Sequence, residues 1–460
     1  MKYFLALLTL LAALNATAAN LPPAAMQELK SLGIPLSAVG VSVREVGTAQ
    51  SLIRLNDTTA MNPASTMKLF TTYAGLELLG PAYTWKTEAY LDGKLEDGVL
   101  QGDLVLKGYG DPKFTIEQFW LWMTELRARG LREIHGNLVI DRSFFDLPPI
   151  DSGTFDNDPV RAYNVTPDAL LLNFNTLRLR YLQEGEQLRA IIEPPLEGIR
   201  LDSRLTSLAQ GSCDDWDDTI HILATDERIL LQGGYPRGCG EREHNLSLLS
   251  HARYVDTVFR AVWHQLGGSL SGQQRNGSVS VGARLFSTHR SEPLSLIIRD
   301  INKYSNNVMA RQLFLTLGAS GVADIPRSSK VMRDWLTKKG LDFPELVLEN
   351  GAGLSRVERI SAEHMAQLLQ NVTDSPFSAE LIASLPILGV DGSVKKRLKN
   401  STAASHAHLK TGTLDGVKTI AGYVKSKSGK NWIVVFFINH PNAKRAQAAQ
   451  DALIEWLQVQ

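Results

Sequence analysis

Three short groups of residues carry the chemistry that this sequence offers: Ser65-Thr66-Met67-Lys68, Ser305-Asn306-Asn307 and Lys410-Thr411-Gly412. A serine that attacks a carbonyl needs a base within reach and donors for the oxyanion that forms. A lysine at i+3 shares the serine's helix face, so Lys68 can take the Ser65 proton once its amine is neutral. At a reference pKa of about 10.4 it must fall by roughly 3 units, about 4 kcal/mol, which desolvation and a second cation can supply. Lys410 is that second cation. A Ser-x-x-Lys, a Ser-x-Asn and a Lys-Thr-Gly in this order mark acyl transfer through a serine.

The surroundings of Ser65 support it as the nucleophile. Asn62 is a good N-cap, Pro63 suits the first helical position, and Gly80-Pro81 stops the apolar run Leu69 to Leu79. Ser65 then lies in a first helical turn, where its amide has no intrahelical acceptor and is free to donate to an oxyanion. A second Ser-x-x-Lys, Ser393-Val394-Lys395-Lys396, follows the polar stretch Gly389-Val390-Asp391-Gly392. No helix start accompanies it, so it reads as a loop and a solvated charge run.

The elements that must bring the three groups together divide the chain unevenly. Lys68 and Ser305 are 237 positions apart, whereas Asn307 and Lys410 are 103 apart. An excursion of about residues 84–285 therefore separates the nucleophile from its partners. The flanks read as one α+β unit: strands at Ala38 to Val46 and Ser51 to Leu55, then a hairpin of Ile420 to Lys425 with Trp432 to Asn439. Helices are expected at Ala443 to Leu457, Tyr304 to Leu317, His251 to Leu266 and Ile360 to Asn371. Inside the excursion Leu95 to Leu106, Gly136 to Ile140, Leu177 to Tyr181 and Ile229 to Leu231 read as short strands. Gly108-Tyr109-Gly110 precedes Pro112 and reads as a turn, not a nucleotide loop.

Composition narrows the setting. Lys2, the apolar stretch through Leu14 and the small residues Ala16-Thr17-Ala18 read as a secretory signal peptide over residues 1–18. No later run is long enough for a membrane span. With 48 basic and 48 acidic residues and no basic block, nucleic acid is not an expected partner. Cys213 and Cys239 are the two cysteines. In an oxidising export compartment they are expected to form one disulfide, a metal site being the weaker alternative. His406 and His408 alternate before the Lys-Thr-Gly, and neither is assigned to a metal. No cofactor is expected.

The chain resembles the class C low-molecular-mass penicillin-binding proteins, which are D-alanyl-D-alanine carboxypeptidases and endopeptidases. The likeness spans the mature chain. It rests on Pro63 to Lys68, Gly102-Asp103-Leu104 with Gly110-Asp111-Pro112, Asn302 to Asn307, Asn350 to Arg356, Leu385-Pro386 with Gly389 to Gly392, and His408 to Thr413. It implies an α+β fold: a β-lactamase/transpeptidase-like domain, an antiparallel sheet flanked by helices, from residues 19–83 and 286–460, with two nested, mainly β domains inserted at 84–285.

The same resemblance implies a role for each site residue. Ser65 attacks the D-Ala-D-Ala carbonyl, Lys68 is the base, Ser305 relays a proton to the leaving amine, and Asn307 holds the substrate amide. Lys410 supplies positive potential. The hydroxyls of Thr411 and Thr413 bind the terminal carboxylate, Gly412 lies between them, and the Thr413 amide joins that of Ser65 in the oxyanion hole. An acidic residue of the insert is expected to meet a diamino acid's amino group: Asp158, with Asp156 as the alternative. Expected partners are peptidoglycan stem peptides and cross-links and β-lactam antibiotics, with the protein in the periplasm. Three alternatives are less favoured. A serine β-lactamase needs less chain, a silent wall-binding or β-lactam-sensing module does not need Lys68, and a secreted esterase would carry a Gly-x-Ser-x-Gly elbow.

Overall fold

The computed structural model describes residues 20–185 and 187–460, so the expected signal peptide at residues 1–18 lies outside the described residues. The flanking segments meet in one five-stranded antiparallel sheet. Its order is Ala407–Leu414, Val417–Lys425, Asn431–Asn439, Val39–Glu45 and Ser51–Leu55. The N-terminal strand is thus paired with the C-terminal hairpin, Val39 opposite Ile438 and Glu45 opposite Trp432.

Asn431–Asn439 is a near-continuous apolar run, and both its faces are covered. Ile433, Val435 and Phe437 enter the core built with Met67–Leu79 and Ala362–Thr373, while Val434, Phe436 and Ile438 enter the core built with Pro23–Ser31 and Gln447–Gln458. Phe436 and Phe437 are both fully buried. Each is worth about 1.5–3 kcal/mol of apolar burial, so the central strand is pinned from two sides. The site hangs from the opposite, open edge of the sheet, at Ala407–Leu414.

Most expected flanking elements are present within a few residues. The helix expected from Tyr304 to Leu317 starts three residues later, as Asn307–Leu317, and a separate helix, Leu294–Lys303, precedes it. Asn306 sets that start, because its side chain accepts from the Met309 amide at 3.0 Å and so caps the second helix. Ser305 is left between them at φ +56°.

In the excursion, the strand expected at Leu95 to Leu106 is a hairpin. Lys86–Glu96 and Val99–Gly108 pair across the two-residue turn Asp97-Gly98, a strong hairpin signal that the apolar alternation concealed. These strands belong to a seven-stranded sheet that also takes in Arg284–Arg290, so the expected boundary at 285/286 falls inside a strand. Two further sheets of three strands each contain Leu177–Glu184 and Arg228–Pro236. Ile116–Ala128 is a helix that periodicity did not reveal, and it shares an apolar core with His251–Gln265 and the sheets. Trp85, Phe145 and Ala169 join the core of the flanking unit instead, which ties the excursion to it. Cys213 and Cys239 are disulfide-bonded, Cα atoms 5.2 Å apart. Among the described residues no helix is long and apolar enough to cross a membrane.

Candidate active site

Ser65 lies in a tight turn, Ala64–Thr66, that leads directly into the Met67–Leu79 helix. Pro63, not the expected Asn62, stands at the N-cap of this turn, and Asn62 braces it from one residue earlier, its Oδ1 accepting from the Ala64 amide at 2.8 Å. The first turn is 3-10, not α. Ala64 sits at φ +45°, a conformation that costs a residue with a Cβ about 1–3 kcal/mol. The Thr66 and Thr419 hydroxyls hold the turn by donating to the Pro63 carbonyl at 2.6 and 2.8 Å.

Lys68 is fully buried one turn on. Its Nζ is 3.0 Å from Ser65 Oγ and 2.6 Å from Asn307 Oδ1, and it also meets the Ala352 carbonyl oxygen. A neutral amine has two hydrogens and one lone pair. The two carbonyl oxygens can only accept, so they take both hydrogens and leave the lone pair for the Ser65 hydroxyl. Burial first, and the charge of Lys410 second, hold the Lys68 amine well below the usual lysine range. That is the order of causes a resting base requires.

Lys410 is also fully buried, and burial lowers it to about 7. Its Nζ donates to Ser305 Oγ and to the Thr411 carbonyl, both at 2.8 Å. Its strand, Ala407–Leu414, is the edge of the sheet. The Leu409 amide points away from the sheet, to the Pro386 carbonyl at 2.9 Å. Amide direction alternates along a strand, so the Thr411 and Thr413 amides face the same open edge. Gly412 is required for the approach. A Cβ there would lie 2.8 Å from the Ser65 amide nitrogen and 2.9 Å from the Ala64 Cβ.

The second Ser-x-x-Lys lies in a loop with Lys395 and Lys396 exposed, as expected, but its serine is not idle. Ser393 Oγ lies 2.7 Å from Thr411 Oγ1, at the candidate carboxylate site. Asp391 fixes its loop, accepting from Lys303 Nζ at 2.6 Å and from the Ile387 amide at 2.8 Å. The signal was the aspartate and its two flanking glycines, which a composition reading takes for a flexible turn.

The insert reaches the same place. Phe155 packs against Ala64, Leu354, Leu414 and Val417, and the Arg356 guanidinium lies 4.5 Å from its ring centroid. Of the carboxylates on this loop, Asp158 is ion-paired to Arg161 Nε at 2.7 Å. Asp156 accepts from Arg161 Nη1 and Asn164 Nδ2 at 2.8 and 2.7 Å. Asp151 borders a cavity of about 370 Å³ together with Phe155, Arg311, Leu354 and Arg356. His406 and His408 bond backbone carbonyls, of Ala404 and Ile382. Among the described residues no group of three or more His, Cys, Asp or Glu is placed to hold a metal.

Residues 26–460 match the family model described as D-Ala-D-Ala carboxypeptidase 3 (S13). The D-alanyl-D-alanine carboxypeptidase DacB of Haemophilus influenzae is 26% identical over 415 residues, 88% of this chain and 85% of that one. The D-alanyl-D-alanine carboxypeptidase of Actinomadura sp. (strain R39) is 27% identical over 434 residues, 90% of this chain and 80% of that one. The crystal structure of penicillin-binding protein 4 from Haemophilus influenzae superposes with a TM-score of 0.79 at 23% identity, over 94% of this chain and 98% of that one. That likeness fixes the fold.

Proposed function

Because the chain belongs to the D-Ala-D-Ala carboxypeptidase 3 (S13) family, we propose that it is a penicillin-sensitive serine carboxypeptidase and peptidoglycan endopeptidase working through a Ser65 acyl-enzyme. The observation that carries this reading is the buried Lys68 amine 3.0 Å from Ser65 Oγ, its two other partners being carbonyl oxygens. Lys68 takes the hydroxyl proton as Ser65 Oγ adds to the carbonyl carbon of the D-Ala-D-Ala bond. The oxyanion is held by the Ser65 and Thr413 amides. Collapse breaks the C–N bond, and the proton returns to the departing amine through Lys68 and Ser305, whose hydroxyl is fixed by Lys410. Water then attacks the ester and regenerates Ser65.

The terminal carboxylate is assigned to the Thr411 and Thr413 hydroxyls and the substrate amide to Asn307. A β-lactam carbonyl would meet the same nucleophile and donors, which is the basis for inhibition. The flanking segments, 20–85 and 291–460, act as the transpeptidase-like unit and residues 86–290, which include the paired strands Lys86–Glu96 and Arg284–Arg290, as its insert, in an exported, periplasmic protein.

Product masses from purified wall fragments test the function. Loss of a terminal D-alanine reports carboxypeptidase action and cleavage of a cross-linked dimer reports endopeptidase action, whereas an unchanged digest contradicts both. The same assay tests Asp158 as the partner of the diamino acid's amino group. Asp158→Ala is expected to slow cleavage of stem peptides while leaving penicillin acylation nearly unchanged, since penicillin lacks that group. An exposed pair is worth only about 0.2–1 kcal/mol, and an enclosed one left half-paired about 3–5. Because Arg161 already occupies Asp158, the loss should lie near the lower figure. Equal losses on both substrates would make Asp158 structural.

A further inference from the structure

The three partners of Lys68 Nζ are not equally anchored. Ser65 and Asn307 sit on a helical turn and a helix, but Ala352 belongs to an irregular segment, Glu349 to Leu354. Such a segment needs something to hold its carbonyl against a buried amine.

Glu358 is placed to do so. It is 0% exposed, and its Oε1 accepts from the amides of Glu349, Asn350 and Gly351, each at 3.0 Å. The Asn350 side chain continues the strut, with Oδ1 accepting from the Ala352 amide at 2.9 Å and Nδ2 donating to the Leu354 carbonyl at 3.0 Å. Ser355 joins both ends to the nucleophile. Its hydroxyl accepts from the Glu358 amide at 2.9 Å, and its carbonyl accepts from Asn62 Nδ2 at 2.8 Å, the residue whose Oδ1 braces the Ser65 turn at the Ala64 amide. On the other side Thr71, in the Lys68 helix, donates to the Gly351 carbonyl at 2.6 Å. Among the described residues Glu358 Oε2 has no hydrogen-bond partner, and neither has the buried Nε of Arg311.

We propose that Glu358 is a positioning residue for the general base: by gathering three backbone amides it fixes the turn whose Ala352 carbonyl takes one Lys68 hydrogen, so that the amine's lone pair stays on Ser65. The proposal rests on Lys68 being the base. A buried carboxylate bonded only to keep a loop in place would be a costly way to achieve stability alone. Its charge also reaches the amine. The charged groups acting on Lys68 are Lys410 and Arg311, which lower it, and Glu358, which raises it, while Glu349 acts on Glu358 itself.

The test is the rate of penicillin acylation from pH 5 to 10 in the full chain carrying Glu358→Ala, Glu358→Gln or Lys68→Ala, with thermal melting alongside. Misplacing a catalytic group by about an ångström costs up to about 100-fold, so Glu358→Ala should lose about 10- to 100-fold. Glutamine keeps an oxygen for the three amides and should recover most of that loss. Because it removes a negative charge, it should also move the acid limb of the profile to lower pH. Glu358→Ala acylating at the unaltered rate overturns the proposal, as does a Glu358→Gln profile with an unmoved limb, a readout that survives if the alanine variant fails to fold. If Lys68→Ala acylates normally the base assignment itself fails. If Lys68→Ala is slow while both Glu358 variants match the parent, only the role of Glu358 fails.

Discussion

Replacing Lys68 by alanine is expected to slow acylation by roughly 10²- to 10⁴-fold, the usual worth of a positioned general base, with the fold retained. The Lys68 amine is fully buried and 3.0 Å from Ser65 Oγ, whereas Lys410 Nζ bonds the Ser305 hydroxyl instead. Asn307, the other side chain on Lys68, cannot take a proton. Truncation leaves Asn307 Oδ1 and the Ala352 carbonyl without their donor, a penalty of about 1–3 kcal/mol per buried group, but it also removes a buried ionisable group. Net destabilisation should therefore be small beside the kinetic loss. Lys68→Arg should be as slow as alanine, since a guanidinium does not deprotonate in a protein. Stopped-flow acylation with a chromogenic β-lactam measures both. A Lys68→Ala rate within tenfold of the parent would remove lysine from the role of base.

Replacing Lys410 by methionine is expected to have the next largest effect, and its sign with pH is specific. A charged Lys410 lowers the Lys68 pKa, so its removal raises that pKa and moves the acid limb of acylation to higher pH. Lys410 itself lies at about 7, so the coupling acts chiefly below that pH. Burial, the larger cause, stays in place and keeps Lys68 depressed. The loss at neutral pH then reports mainly the Lys410 donor to Ser305. Stability follows by linkage. Between about 7 in the folded chain and about 10.4 in the unfolded one, the unfolded state binds more protons, so stability rises with pH across that window and is lower below it. Lys410→Met should flatten the rise, leaving the part due to Lys68. An unmoved acid limb would assign the Lys68 shift to desolvation alone.

The side chains that meet at the candidate site were legible in the sequence because the chemistry they could do constrains residue type and spacing together. Ser65 and Lys68 had to share a helix face, and Ser305 and Lys410 had to arrive on separate elements. What escaped was held by geometry without a type signature. Any residue can offer the Ala352 carbonyl, and Glu358 is one of 48 acidic residues until the amides it gathers are known. Ser393 was discounted because no helix follows it, yet the Asp391–Lys303 pair gives its turn a fixed place. The helix expected over Tyr304 to Leu317 starts only at Asn307, because the capping preference of Asn306 outweighs the apolar period that runs across it. The sequence put Asp158 only narrowly ahead of Asp156, and the structure pairs both with the same cation, Arg161.

The central claim is that Ser65 is the residue acylated. Incubating the protein with a labelled penicillin, quenching in acid and mapping the adduct by peptide mass tests it most directly. The label should lie on the peptide that contains Ser65 and persist for many turnovers of the natural substrate. A label on Ser393, or none at all on protein that still trims stem peptides, would contradict it.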